Sequence, residues 1–266
     1  MTSEHALFIP DGDTFVPTGL TRGGWSDDAQ HGGPPTGLLA RCIERLDALV
    51  PMQVVRLTVD LFRVVPLTPL TVETHVLREG RRIRLTEAVL RDGDLEVARG
   101  RALALRTREI PLPPSPNPPW EPPPGPDAGT PVDWPALHDW GGLPRFHVDA
   151  VEIRSIEGSF LRLGPGLSWF RLLPQVVAGE EPTPLVRMAT LADMGNGNSQ
   201  AVDARRWLFV NPDVTLHVHR LLEGEWLGMR SIAVQHPTGL GFADTELFDA
   251  KGPLGRVAQT QLVEPH

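Results

Sequence analysis

At 266 residues, 41% of them hydrophobic and 22% charged, the chain is long enough for one large domain or two of roughly 100–150 residues and has the make-up of a globular protein. A formal net charge of −8 disfavours a nucleic-acid surface, which needs clustered Lys and Arg. No run reaches the roughly 20 apolar residues of a membrane helix, and the start, MTSEHALFIPDGDTF, lacks the basic and apolar parts of a secretion signal. No nucleic-acid partner, no membrane contact and a cytoplasmic location are therefore expected.

The first periodic element is PPTGLLARCIERLDALV, which sets Leu38, Leu39, Cys42, Ile43, Leu46 and Leu49 on one helical face. Pro34 and Pro35 suit a first helical turn, with Gly32 and Gly33 leading into it. Cys42 is the chain's one cysteine. It reads as a small buried apolar residue, and it leaves no scope for an internal disulfide or a thiolate metal cluster. Four strand-like runs follow: VVRLTVDLFRVV, LTVETHVLRE, RRIRLTEAVLRDG and LEVARGRALALR. The first alternates, with Val55, Leu57, Val59 and Leu61 on one face, and Arg91-Asp92-Gly93 marks a hairpin turn.

The composition then shifts. Pro111 to Pro135 holds 12 of the 28 prolines, and proline fixes φ and removes backbone donors. A semi-rigid connector over the outside is expected, without helix or ladder pairing and with Trp120 or Trp134 packed on a domain. A proline-motif ligand is the less favoured reading of this stretch. Beyond it come strands in HVDAVEIRSI and GLSWFRLLP, a helix in PTPLVRMATLADM, and strands in VNPDVTLHVHRL, EWLGMRSIAVQHP, GLGFADTELFDAKG and GRVAQTQLV.

The two halves repeat at a fixed offset. Arg63 and Arg220 stand 157 positions apart, as do Asp92 and Asp249, and the same step carries Leu57, Val59, Leu61 onto Val214, Leu216, Val218. This implies an internal duplication of an α+β unit. A helix followed by an antiparallel meander buries its apolar faces by wrapping the sheet around the helix, and two such units can join edge to edge with pseudo-two-fold symmetry. Sites then arise between the halves. The expected organisation is a first unit over residues 1–108, a connector over 109–145 and a second unit over 146–266.

The segments HGGPPTGLLARCIE, LFRVVPL, LREGRRI and LRDG resemble the first unit of the TesB-like acyl-CoA thioesterases. ATLADMGNG, FVNPDVTLHVHR, GEWLGMRS and GRVAQTQL resemble the second. The resemblance covers nearly the whole chain outside the connector. It implies a double hotdog fold, two helix-wrapped antiparallel sheets joined edge to edge, and an acyl-CoA thioester hydrolase of lipid metabolism with no cofactor. The family's water-activating group falls on Asp193, on Asn211 where the family carries Thr, and on Gln259.

Read as chemistry, Asp193 is a candidate general base at the edge of an apolar helix face. Its bland alternative is a helix C-terminal Asp bonded to the turn that follows, a poor place for an anion. Gln259 can donate to an oxyanion and accept from water, although from the pattern alone a solvated strand residue is the favoured reading. Its partner at the 157-residue offset is Ala102, so one site per chain is expected. His31, Gly32 and Gly33 are candidate substrate-binding residues. The glycines and the open helix start could meet the thioester carbonyl or a CoA phosphate, or simply make a tight entry, while His31 could bond its own loop. An apolar tunnel for the acyl chain is expected between helix and sheet.

Other constellations fail. His217 and His219 lack a third metal ligand, there is no GxSxG elbow, and the glycine loops lack a P-loop lysine. Two rival readings remain. One is a non-catalytic acyl-CoA or lipid-binding module. The other is a hotdog hydratase, which needs a His–Asp pair not apparent in the sequence. Chain length, head group and oligomeric state, including any homo-oligomer, are not legible.

Overall fold

The computed structural model describes residues 5–134, 142–160 and 162–266. Helix α1 runs from Gly33 to Glu44, with prolines in its first turn, where a missing N–H leaves nothing unsatisfied. It stops short of the predicted Leu46 and Leu49. The Arg84 guanidinium donates to the Leu46 and Asp47 carbonyls at 2.8 and 2.6 Å, satisfying the open end there. The chain turns outward, and Leu49 is 62% exposed.

Around α1 lie β1 (Ala6–Asp11), β2 (Thr14–Pro17), β3 (Met52–Leu61), β4 (Leu70–Arg78), β5 (Ile83–Asp92) and β6 (Leu95–Arg106). The connector contributes β7 (Thr130–Pro131). The rest of the chain forms β8 (Val151–Ser159), β9 (Arg162–Leu172), β10 (Gln175–Val177), helix α2 (Pro184–Leu191), a short α3 (Gly195–Asn198), β11 (Trp207–Val210), β12 (Asp213–Val218), β13 (Leu227–His236), β14 (Leu240–Asp249) and β15 (Gly252–Pro265). All strands join one sheet in the order β10-β1-β2-β4-β5-β6-β3-β12-β15-β14-β13-β9-β8-β7, with β11 on β15.

From the β3–β12 seam outward the order is mirrored: β6 corresponds to β15, β5 to β14, β4 to β13. The bounds of β14 lie 157 residues beyond those of β5 at both ends. Each half of the sheet curls over one helix, and both helices share a single apolar core that includes Leu38, Leu57, Leu90, Met188, Leu216 and Val257. This is a double hotdog. The helices touch closely, because a Cβ on Gly37 would stand 2.0 Å from Thr190 Oγ1 and one on Gly33 would stand 2.4 Å from the Thr190 carbonyl oxygen. Glycines four apart open the groove that Thr190 fills.

Three further expectations are corrected. The β3–β6 register jumps between Val54 and Arg56, so a bulge places two residues opposite one, and Val54 rather than Val55 packs on the core. The run beginning at His147 opens as a wide helical turn over Phe146–Ala150 before β8; Asp149 accepts from the Arg145 backbone N–H at 2.7 Å and fixes it. The connector holds both a helical turn and a ladder pair: Pro126–Ala128 form a single 3-10 turn, and Thr130 and Pro131 lie against Ser155 and Arg154, covering the edge of β8, where proline is tolerated.

The tryptophans do pin the connector. Trp120 meets Phe248 at 6.0 Å, Trp134 is buried against His147 and Phe160, and Trp169 Nε1 donates to the Pro124 carbonyl at 2.8 Å. Pro135 and the connector through residue 141 lie outside the described residues.

Candidate active site

Asp193 sits in the tight turn over Ala192–Met194 that ends α2, and it is 6% exposed. A carboxylate buried at a helix C-terminus is electrostatically poorly placed and needs donors. They come from three directions. Asn211, just past the end of β11, donates from Nδ2 to Asp193 Oδ1 at 2.8 Å. Gln259, on the inward face of β15, donates from Nε2 to the same oxygen at 2.9 Å. His31, on the loop before α1, sets Nδ1 3.0 Å from Asp193 Oδ2. The turn-bonded alternative for Asp193 is not what forms.

Each partner is held in turn. Asn211 Oδ1 accepts from Asn196 Nδ2 at 2.8 Å. Beside it, Leu61 N–H donates to the Pro212 carbonyl at 2.7 Å, tying this corner to the first half. Gln259 is 1% exposed, and its Oε1 has no hydrogen-bond partner among the described residues. A buried acceptor left without a donor costs about 1–3 kcal/mol.

Gly32 and Gly33 serve close approach. A Cβ on Gly32 would come within 2.7 Å of Asp193 Oδ2 and 2.9 Å of Leu61 Cδ1. Any larger residue would push the His31 loop off Asp193. That loop is clamped from where the connector enters the second half: Arg145 Nη1 donates to the Gly23 carbonyl at 2.7 Å and Phe146 N–H to the Arg22 carbonyl at 2.9 Å. The His31 ring leans on Phe146, centroids 4.9 Å apart, with His147 at 6.0 Å. Burial, then the nearby His31 and Arg145, push the His147 imidazole down to about 3, so it stays neutral near pH 7.

All four polar residues singled out from sequence thus meet in one hydrogen-bonded group between the halves. Sequence reasoning missed Asn196, Phe146 and His147, and it missed a buried chain behind the site. There Ser168 Oγ donates to Asn198 Oδ1 at 2.7 Å and Asn198 Nδ2 to Ser231 Oγ at 3.1 Å. Only the cluster of small polar residues in GNGNS hinted at it. Ala102, at the position equivalent to Gln259, is a core residue.

Cavities of about 270 Å³, lined by Ile43, Arg84 and Leu185, and about 420 Å³, lined by Arg41, Val177 and Glu180, lie elsewhere, and neither is lined by the four polar residues. Among the described residues no three His, Cys, Asp or Glu side chains gather as metal ligands, and no helix is long and apolar enough to cross a membrane.

The chain is thus a double hotdog with one buried polar group gathered between its halves. The chain belongs to the acyl-CoA thioesterase family: residues 21–105 match the acyl-CoA thioesterase N-terminal domain and residues 119–263 the C-terminal domain. It is a thioester hydrolase. No curated protein is similar enough in sequence to stand as a relative.

Among solved structures, a provisionally assigned thioesterase II from Thermobifida fusca aligns at TM-score 0.74 and 18% identity, over 97% of this chain and 95% of its own. A hot dog protein of unknown function from Alicyclobacillus acidocaldarius aligns at 0.72 and 16%, over 99% and 97%. An acyl-CoA thioesterase II from Mycobacterium marinum aligns at 0.64 and 14%, over 90% of each chain. At these identities the likeness shows the fold alone.

Proposed function

We propose that the protein hydrolyses an acyl-CoA to a free acid and CoA, using a water activated at Asp193, Asn211 and Gln259. The observation that carries this reading is the convergence on one carboxylate of Asn211 Nδ2, Gln259 Nε2 and His31 Nδ1, from three elements and both halves. Thioester hydrolysis needs a positioned water, a proton acceptor and donors for the oxyanion. Gln259 Oε1, without a hydrogen-bond partner among the described residues, would accept a hydrogen bond from the water, and the Asp193–His31 pair would take one proton from it. Such proton transfer contributes typically about 10²–10⁴-fold, and each oxyanion donor about 10²–10³-fold. Gly32 and Gly33, at the open start of α1, would face the thioester carbonyl.

Thiol release from a panel of acyl-CoA esters tests this. Release by the native protein, lost at least a hundredfold in Asp193→Asn, is the expected result. Tight acyl-CoA binding with no release would point instead to a lipid-binding module. The His31–Asp193 pair also supplies what the hydratase reading lacked, so a 2-enoyl-CoA belongs in the panel. Water added across its double bond without thiol release would overturn hydrolysis.

A further inference from the structure

Asp193 is already engaged at both oxygens. Oδ1 accepts from Asn211 and Gln259 at 2.8 and 2.9 Å, and Oδ2 lies 3.0 Å from His31 Nδ1. Little of this carboxylate is left to take a proton from water. His31 Nδ1 is approached twice, by Asp193 Oδ2 and, at 3.1 Å, by the Gly33 backbone N–H. One ring nitrogen holds either a proton or a lone pair in its plane. Facing an ionised carboxylate, the protonated form attracts and the lone pair repels, so the Asp193 contact prevails over the longer one to Gly33. The tautomer follows: Nδ1 carries the hydrogen and Nε2 the lone pair. Nε2 joins no hydrogen bond among the described residues, and 18% of the side chain remains exposed, within reach of solvent.

We propose that His31, supplied by the first half, is the base that takes the proton from the attacking water, and that Asp193, supplied by the second half, is the positioning residue that fixes its ring. This rests on the thioesterase reading and reassigns the base within it. As the water oxygen bonds to the thioester carbon, one water proton passes to Nε2, and the imidazolium is held by Asp193. When the carbon–sulfur bond breaks, the same proton passes from Nε2 to the departing CoA sulfur. The products are the free acid and the CoA thiol, and the imidazole is restored. The groups facing His31 are Asp193 from the α2 turn and His147 and Arg145 from the segment before β8. His147 is neutral at working pH, and Arg145 is committed to Asp27 and the Gly23 and Ser26 carbonyls.

The test is His31→Asn, whose amide can keep a donor near Asp193 but has no Nε2, alongside Asp193→Asn. Turnover by His31→Asn should fall about 10²–10⁴-fold, while KM stays close to that of the native protein. The acid limb of the pH–rate profile should also disappear, and added imidazole should restore part of the rate in His31→Ala. Turnover in His31→Asn close to that of the native protein, with Asp193→Asn still inactive, would return the base to Asp193 and leave the hydrolase reading intact. Should the native protein release no thiol, that reading fails separately. Nitrogen-15 shifts of His31 in the native protein then decide the geometry: protonated Nδ1 with bare Nε2 supports the assignment, and the opposite tautomer overturns it.

Discussion

Thr58 of β3 and Thr215 of β12, separated by 157 residues in sequence, face each other in register and share a hydrogen bond between their hydroxyls at 3.3 Å. Their separation is the repeat offset itself, so the pseudo-two-fold axis relating the halves passes between residues equivalent to each other. Val59 meets Val214 and Leu57 meets Leu216 on either side. A cross-strand pair of this kind contributes about 0.2–1 kcal/mol. In a double-mutant cycle of Thr58→Val and Thr215→Val, chemical denaturation should show a coupling of about 0.5 kcal/mol. Strict additivity would mean that the hydroxyls do not bond.

The helix crossing is less forgiving. Because a Cβ on Gly37 would stand 2.0 Å from Thr190 Oγ1, Gly37→Ala should destabilise the protein by about 1–3 kcal/mol through overpacking. Adding Thr190→Ala should recover part of the loss. Denaturation midpoints measure both, and no recovery would place the strain elsewhere.

Gln259 should matter to rate more than to folding. Gln259→Met keeps the volume and removes both the donor to Asp193 and the orphaned Oε1, so the stability changes oppose each other. Turnover should drop about 10–10³-fold, with the thermal midpoint shifted by only a few degrees. A large drop in midpoint with turnover retained would make Gln259 a structural residue.

His147 gives stability an acid dependence. Its folded-state imidazole ionises only near pH 3, whereas the unfolded chain binds that proton near pH ~6.5. The contribution is therefore complete above that range and lost as pH falls through it toward 3. Glu87 and Asp249, held below the ordinary carboxylate range by arginine against the opposing effect of burial, do not add to the change between pH ~6.5 and ~5. Between pH ~6.5 and ~5, unfolding free energy should drop by about 1.5–2 kcal/mol from this group. Urea denaturation across that range should show a flatter slope in His147→Gln, and an equal slope would exclude this origin.

Asp249 anchors the last hairpin. Burial opposes its charge, but Arg220 and the backbone N–H groups of Glu223 and Lys251 outweigh that and hold its carboxyl below the ordinary range. Asp249→Asn breaks a buried pair and should cost about 3 kcal/mol. The penalty should shrink as pH falls through the depressed ionisation, where the native carboxylate also loses its charge. Denaturation at neutral and strongly acid pH checks the sign.

Much of this architecture is legible in the sequence because sheet periodicity and turn chemistry are local. The alternation around Leu57 and Val59, the turn at Asp92-Gly93 and their copies 157 residues later carry the pairing of β3, β5, β6 and their counterparts. The bulge at Val55 is invisible to alternation, since it shifts the register of one strand against a partner the pattern does not identify. Helix α1 reads longer than it is, because Arg84, nearly 40 positions on, ends it. Asp193, Asn211 and Gln259 can be placed together through family motifs, but a lone histidine in a glycine loop carries no mark of a carboxylate 162 positions away. The tight helix contact that brings α1 against Thr190 decides that pairing, and only three dimensions reveal it.

The seam between β3 and β12 also governs how the protein behaves on dilution. Two separate copies meeting edge to edge would part as their concentration fell, and a group built from both would come apart with them. Here the partner strand belongs to the same chain, so the pairing is intramolecular however few molecules are present. The meeting of His31 with Asp193 is thus a property of each single molecule, and the rate per molecule should stay level down to the most dilute assay.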